Sequence, residues 1–397
     1  GTEFYSAVIR EILANPEAYG RSEYGRDEKV MVEFVSANPT GPMHMGNARG
    51  GALGDCLAAV LDKAGYNAWR EFYVNDAGNQ IEKFGCSLEA RYLQIFKGDE
   101  IEFPEDGYQG EDIKDLAKEY ADLNGDSLVN VSAEERKKTL VDYALPKNIK
   151  KMQADMEKYK IYYDKWFFES ELHKSGAVKA VVDLLTKKGL TYEKEGAVWY
   201  KNKEVLTQKL LKEGKSQKYI DNLELKDDVL IRQNGNPTYF TADIAYHKNK
   251  FDRGFTTLID VWGADHHGHV MRMKGAMDAI GYDGDKLNVV LMQLVKLVKD
   301  GELVRMSKRT GKAIQLGDLL DEVPVDSARF LFNTKEANTQ MDFDLDLAVS
   351  QDNQNPVYYV QYAHARICSI FKSLAKEGIS PRECTDAELA LLTAPEE

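Results

Sequence analysis

Short β-branched, apolar runs alternate with stretches whose apolar positions recur three or four residues apart. "KVMVEFV" at 29–35 reads as a buried strand, "GALGDCLAAVLDKAGY" at 51–66 as a helix closing on glycine, and "NAWREFYVN" at 67–75 as a second strand; the stretch from Asp76 to Lys97 is helical. This order predicts parallel strands joined by crossover helices, an α/β fold. The rhythm breaks after residue 97. "KGDEIEFPEDGYQGED" has the composition of a surface loop, and "SAEERKKTLVDYALPKNIKKMQADMEKYK" is a long charged helical stretch. Short aromatic strands ("YYDKWFF", "GAVWY") and lysine-rich helical pieces follow, so 98–228 reads as an α+β insertion. The alternation resumes with "DDVLIR", "TTLIDVW", a helix from His269 to Ile280 and "LNVVLMQLV", which is apolar enough for a central strand. Beyond Asp318 the pattern is helical, and "NPVYYVQYAHARICSIFKSLAKEG" opens a new helix on proline. The expected division is a helical lead-in (1–27), two halves of one α/β domain (28–97 and 229–318) around the insertion, a helical linker region (319–354) and the start of a helical domain (355–397).

Composition narrows the class. With 397 residues, 43% hydrophobic and 29% charged, the chain has room for two or three domains with ordinary cores. No run is apolar and long enough to cross a bilayer, and the opening twenty residues lack a signal-peptide pattern, so a cytoplasmic protein with no membrane partner is expected. Four separated cysteines form no CxxC pair, which argues against a zinc ribbon or a disulfide framework. A net charge of −13 argues against non-specific DNA binding and favours a small basic substrate, while leaving room for RNA on a local patch.

Four stretches carry candidate chemistry. "ANPTGPMHMGNAR" at 37–49 joins the first strand to the first long helix, putting His44, Gly46 and Asn47 at a helix mouth that suits phosphate. "LVRMSKRTGKAIQL" at 303–316 follows a hairpin signal, "KDGE", and concentrates Arg305, Lys308, Arg309 and Lys312 in a basic loop able to meet a leaving pyrophosphate. "GNPTYFTADIAYHKNK" at 235–250 places Tyr239 and Asp243 on one face, whether helix or strand, as a planar cation would require. In "VWGADHHGHV" adjacent histidines project apart and no distant ligand set completes a zinc site; no structural metal is expected.

Together these stretches resemble the arginyl-tRNA synthetases of class I. "HMGN" at 44–47 is similar to the family's HIGH signature and "RMSKR" at 305–309 to its KMSKS signature. "VEFVSANPTGPMHMGNARG", "EFYVNDAGNQI", "TYFTADIAYH", "WGADHHGHVMRMKGAM" and "QNPVYYVQYAHARI" read like the family in order. Asn47 stands where the signature has its second histidine, and Arg305 at its first lysine; Lys308 is retained. The resemblance implies a Rossmann-like catalytic domain that activates L-arginine with ATP, carried with Mg²⁺, releases pyrophosphate and passes the arginyl group to tRNA(Arg). It implies catalytic roles for His44, Asn47 and Lys308. Gly46, Gly263, His266, Met306 and Ser307 would join those three at ATP, and Glu33, Asn38, Tyr239 and Asp243 would bind arginine. A monomer is expected. The family carries a tRNA-contacting domain before this stretch and an anticodon-binding bundle after it, so these residues are expected to bind ATP and arginine while charging tRNA poorly. The alternatives are a non-catalytic RNA-binding or scaffold piece, and a synthetase or nucleotidyl transferase of another specificity.

Overall fold

The computed structural model describes residues 2–304 and 314–392. Its centre is a five-stranded sheet formed by β1 (Lys29–Glu33), β2 (Asn67–Val74), β3 (Lys165–Phe168), β7 (Thr257–Gly263) and β8 (Leu287–Met292), in the order β3-β2-β1-β7-β8. Every neighbouring pair is parallel, as the alternating pattern requires. Side chains leave each strand on alternate faces, and both faces are covered. Val32, Phe34, Phe72 and Val74 pack on one side with α2 (Asn47–Lys63) and the end of α5 (Ala133–Lys158). Met31, Phe167 and Leu258 pack on the other with α7 (Ala177–Lys187), α10 (Tyr239–Asp252) and α11 (His267–Ile280). The path from β1 leads to β2 on one side, whereas β7 and β8 build outward on the other. The carboxyl ends of β1 and β7 therefore flank the switch point, where open α/β sheets bind ligands.

Two excursions interrupt the sheet. Between β2 and β3, α3 (Asn79–Lys97), α4 (Glu111–Asn124) and α5 form a helical unit with its own core, including Phe84, Leu88, Tyr92, Ile113 and Leu140. The helix α5 runs through Pro146 without ending. Between β3 and β7, α6 (Glu169–Lys174) and α7 lead to a small antiparallel sheet of β4 (Thr191–Lys194), β5 (Ala197–Tyr200) and β6 (Asp228–Ile231), with α8 (Asn202–Lys212) and α9 (Gln217–Asn222) between the last two. The span 98–228, read from sequence as one insertion, thus contains β3, an edge strand of the main sheet. Four residues of "KWFF" cannot signal which sheet they join; the pairing of Phe72 with Trp166 across the strands decides it.

"LNVVLMQLV" is not one central strand. It divides at Gln293 into β8, at the edge of the main sheet, and β9 (Val295–Lys299), which pairs with β10 (Glu302–Val304) and β11 (Met341–Asp344) in a third sheet. The division is enforced by contacts the local pattern does not contain: Gln293 N–H donates to Ala337 O at 2.9 Å, and the Arg49 guanidinium holds Gln293 O at 3.0 Å. The hairpin signal at 299–302 turns β9 into β10, with Asp300 and Gly301 both at positive φ. Short helices α12 (Leu316–Glu322), α13 (Val325–Phe332) and α14 (Leu345–Val349) surround this sheet. Then α15 (Pro356–Lys376) starts on its proline, capped by the Asn355 side chain, and α16 (Asp386–Leu389) lies against the N-terminal α1 (Thr2–Ala14).

Candidate active site

The strand β1 delivers its chain into a tight turn. Val35 and Ser36 both take positive φ, at 70° and 40°, conformations that a β-branched residue adopts only under constraint. The constraint is visible: Ser36 Oγ donates to Glu33 Oε1 at 2.8 Å and accepts the Tyr73 N–H at 3.1 Å. The loop then exposes Asn38, and Asn148 of α5 holds Pro39 O at 3.0 Å. It ends at His44, immediately before α2.

His44 is exposed beyond the carboxyl end of β1, yet the surrounding protein displaces enough water to push its imidazole below the ordinary histidine range. The Gly46 N–H donates to Nδ1 at 3.1 Å, which requires Nδ1 to be unprotonated and leaves the ring hydrogen on Nε2. His44 is therefore a neutral imidazole with an outward donor. Asn47 begins α2, closing the turn with an N–H bond to His44 O at 2.9 Å; the first turn carries no acidic residue to neutralise the positive helix end. The chain after the basic loop returns to this point. Gln315 bridges His44 as a short antiparallel pair, Met45 N–H donates to Ile314 O at 3.1 Å, and Leu316 N–H donates to Met43 O at 2.9 Å. Arg305, Met306, Ser307 and Lys308 lie outside the described residues.

On the other face of the sheet from α2, α10 begins at Tyr239. The helical assignment confirms that Tyr239 and Asp243 share a face. Tyr239 borders a cavity of about 530 Å³ lined also by Gly78, Asn79, Glu169, His173 and Ala242. The Glu169 carboxylate is buried at the start of α6. It accepts the Tyr73 hydroxyl at 2.8 Å and lies 3.2 Å from His173 Nε2; burial raises it above the usual carboxylate range and the charge of Asp243 adds to the rise. Burial likewise raises the Tyr73 phenol, next to Glu169 and Asp243. Asp243 Oδ2 is 3.0 Å from His269 Nε2. Neither of these two neighbouring carboxylates has a lysine or arginine bonded to it among the described residues, while Arg232 lines the same cavity.

Glu33 does not line that cavity. It belongs to a row of acidic residues set in register across three strands: Glu71 on β2, Glu33 on β1 and Asp260 on β7. The helix α10 covers the row with matching groups. Lys250, with no solvent exposure, reaches Glu33 Oε2 at 2.5 Å and Asp260 Oδ1 at 2.8 Å. His247 Nε2 sits 2.7 Å from Asp260 Oδ2, and Arg253, just past the helix, grips Glu71 with two bonds of 2.6 and 2.7 Å. Burial alone would lower the Lys250 ammonium, but Asp260 and Glu33 outweigh it and push it up to about 12. Burial alone would raise Asp260, and Lys250 with His247 instead brings it down to about 2. For Glu33, burial prevails and the carboxyl is raised. Gly263 ends β7 half-buried, and His266 projects into solvent from the turn that follows.

Comparison with known proteins bears on this architecture. Residues 8–368 match the family of class I (R) tRNA synthetases, catalytic domain. It belongs to that family. Members similar to it include the arginine–tRNA ligase of Ruminiclostridium cellulolyticum, 58% identical over 98% of this chain and 66% of the relative. The enzyme of that name from Caldanaerobacter subterraneus is 58% identical over 99% of this chain and 67% of the relative. This chain spans about two thirds of the length of both. A crystal structure of an arginyl-tRNA synthetase from Campylobacter jejuni superposes with a TM-score of 0.82 at 37% identity, covering 96% of this chain and 78% of that one.

In this synthetase-family chain, the residues the sequence reading passed over are Tyr73, Glu169, His173 and Lys250, and His269 was weighed there only as a metal ligand. Lys250, in "HKNK", looks like a solvated charge; only the register of three strands reveals the carboxylates beneath it. Glu169 sits in "FFES" at the end of a strand whose sheet membership was itself not legible. Among the described residues no group of three His, Cys, Asp or Glu side chains is placed to hold a metal, and no helix there is long and apolar enough to cross a membrane.

Proposed function

We propose that this chain is the catalytic region of an arginine–tRNA ligase. The observation supporting the proposal is the cavity bordered by Tyr239 and Glu169 with Asp243 beside it; the His44 Nε2–H and the start of α2, at the carboxyl end of β1, are read as the anion lip that faces it. L-Arginine enters with its guanidinium toward Glu169 and Asp243. A planar cation with five donors matches fixed carboxylates better than the single ammonium of lysine, which would leave acceptors unpaired. ATP arrives as its magnesium complex with its phosphates at His44, Gly46 and Asn47. Gly263 and His266 lie toward the adenosine, and Asn38 toward the amino acid. Glu33 serves the pocket from below, by holding Lys250 and the strained turn.

An arginine carboxylate oxygen attacks the α-phosphorus, the bond from that phosphorus to the bridging oxygen breaks, and pyrophosphate leaves with the electron pair. The His44 donor and Lys308, carried by the basic loop with Met306 and Ser307, stabilise the charge on the departing phosphates; Asn47 supplies a second donor. Little proton transfer to protein is needed, so positioning and charge stabilisation provide the acceleration. A hydroxyl of the terminal adenosine of tRNA(Arg) then attacks the arginyl carbonyl and releases AMP. The working unit is a monomer in the cytoplasm.

Calorimetric titration tests the cation cavity. Asp243→Asn removes a charge without changing shape and should weaken L-arginine binding at least tenfold, the roughly 1.5–3 kcal/mol of a charge-assisted hydrogen bond, while ATP binding is unchanged. Equal arginine affinity in Asp243→Asn and the parent chain would remove Asp243 from the pocket. Binding of lysine in preference to arginine would overturn the assigned specificity.

A further inference from the structure

Asp243 is held from outside its own helix. His269, in the first turn of α11, places Nε2 3.0 Å from Asp243 Oδ2. A carboxylate oxygen only accepts, so Nε2 carries the hydrogen. The imidazole is itself confined between rings: its centroid lies 5.4 Å from that of Trp262 on β7 and 5.7 Å from Phe240 on α10, the latter edge to face. The carboxylate of Asp228 is already taken by Arg272, one turn along α11 from His269, and that guanidinium lies over the Phe240 ring at 4.8 Å. The His269 donor is thus directed to Asp243. Among the described residues Asp243 Oδ1 has no hydrogen-bond partner.

We infer that His269 is a positioning residue for substrate recognition: by fixing Oδ2 of Asp243 it sets the plane of that carboxylate and leaves Oδ1 to accept a guanidinium N–H. This rests on the cation-cavity reading of the preceding subsection. A carboxylate free to rotate about χ2 would still attract a positive charge, but it would lose the fixed acceptor geometry that favours a forked cation. The effect belongs to amino-acid binding alone, since His269 acts through Asp243.

Three substitutions separate positioning from packing. His269→Leu fills the space between Trp262 and Phe240 but cannot donate; His269→Gln places an amide N–H where Nε2 was; His269→Asn holds its amide too short to reach. Titration with L-arginine should show about tenfold weaker binding for His269→Leu and His269→Asn and recovery to within about threefold for His269→Gln. ATP affinity and the circular dichroism spectrum should be unaltered in all three. Parent-like arginine affinity in His269→Leu would overturn the inference, as would a His269→Gln variant as weak as His269→Leu. Asp243→Asn, titrated alongside, keeps the two readings distinct. If it loses arginine binding while His269→Leu does not, only the positioning role fails; if neither loses it, the cavity reading fails as well.

Discussion

His44 shows how a single hydrogen bond selects a chemical role. With Nδ1 committed to the Gly46 N–H, protonating the ring would set two N–H groups against each other, and burial opposes the charge further. The neutral donor therefore persists at pH values where an ordinary histidine would be half protonated. His44→Ala should lower the rate of ATP–pyrophosphate exchange, measured with tRNA present, by a factor of about 10²–10³, the scale of removing one donor from a transition-state anion. Arginine affinity by calorimetry should be unaffected. An exchange rate within threefold of the parent chain would show that the His44 donor does not face the reacting phosphates. At this scale the sequence was informative about local geometry: that His44 precedes a helix and that Tyr239 and Asp243 share a helical face were readable from turn chemistry and spacing. The engagement of Glu33 was not, because its partner Lys250 is 217 residues away along the chain.

The helix α10 has two jobs along its length. Its start carries Tyr239 to the cavity with Asp243 one turn on beside it, and its second half delivers His247 and Lys250 to the acidic row of the sheet. Lys250→Met would leave Asp260 and Glu33 buried without their cation, and should cost about 3–5 kcal/mol in denaturant unfolding. A loss below 1 kcal/mol would mean that water or rearrangement replaces the ammonium. The pH dependence follows from the shifted groups. Asp260 is lowered from its ordinary 3.8 to about 2, so its contribution is complete above 3.8 and disappears as pH falls through 2. Lys250 is raised from 10.5 to about 12, so its contribution is complete below 10.5 and fades as pH rises through 12. Glu33, being raised, opposes folding on the neutral side. The difference in melting temperature between parent and Lys250→Met should be largest between about pH 4 and 10.5 and shrink toward pH 2. A difference independent of pH would show that the ammonium charge is not what matters.

Across the whole molecule, Arg49 joins the His44 turn to the third sheet. Its side chain is buried in α2 and donates to three backbone carbonyls: Gln293 and Thr339 from Nη1 at 3.0 and 2.9 Å, and Glu336 from Nη2 at 2.7 Å. The helix that follows the His44 turn is thereby fastened to the segment connecting β8 with β9. Arg49→Met should cost about 3 kcal/mol, since buried acceptors lose their donors, and should accelerate amide exchange at Gln293 and along β9. Unchanged exchange there would disprove the coupling. Read alone, the sequence determined what local forces control: strand and helix alternation, the parallel α/β class, the hairpin at 299–302, the proline start of α15, and the turns bearing His44 and Tyr239. These depend on the spacing of apolar residues and on turn chemistry within a few residues. Which strands are neighbours, that β3 joins the main sheet while β9 leaves it, that Glu169 lines the cavity, that His269 meets Asp243 and that Lys250 meets Glu33 and Asp260 were decided by tertiary structure. Buried charges and cavity walls are satisfied by partners tens to hundreds of residues distant, and no periodicity in the chain encodes that distance.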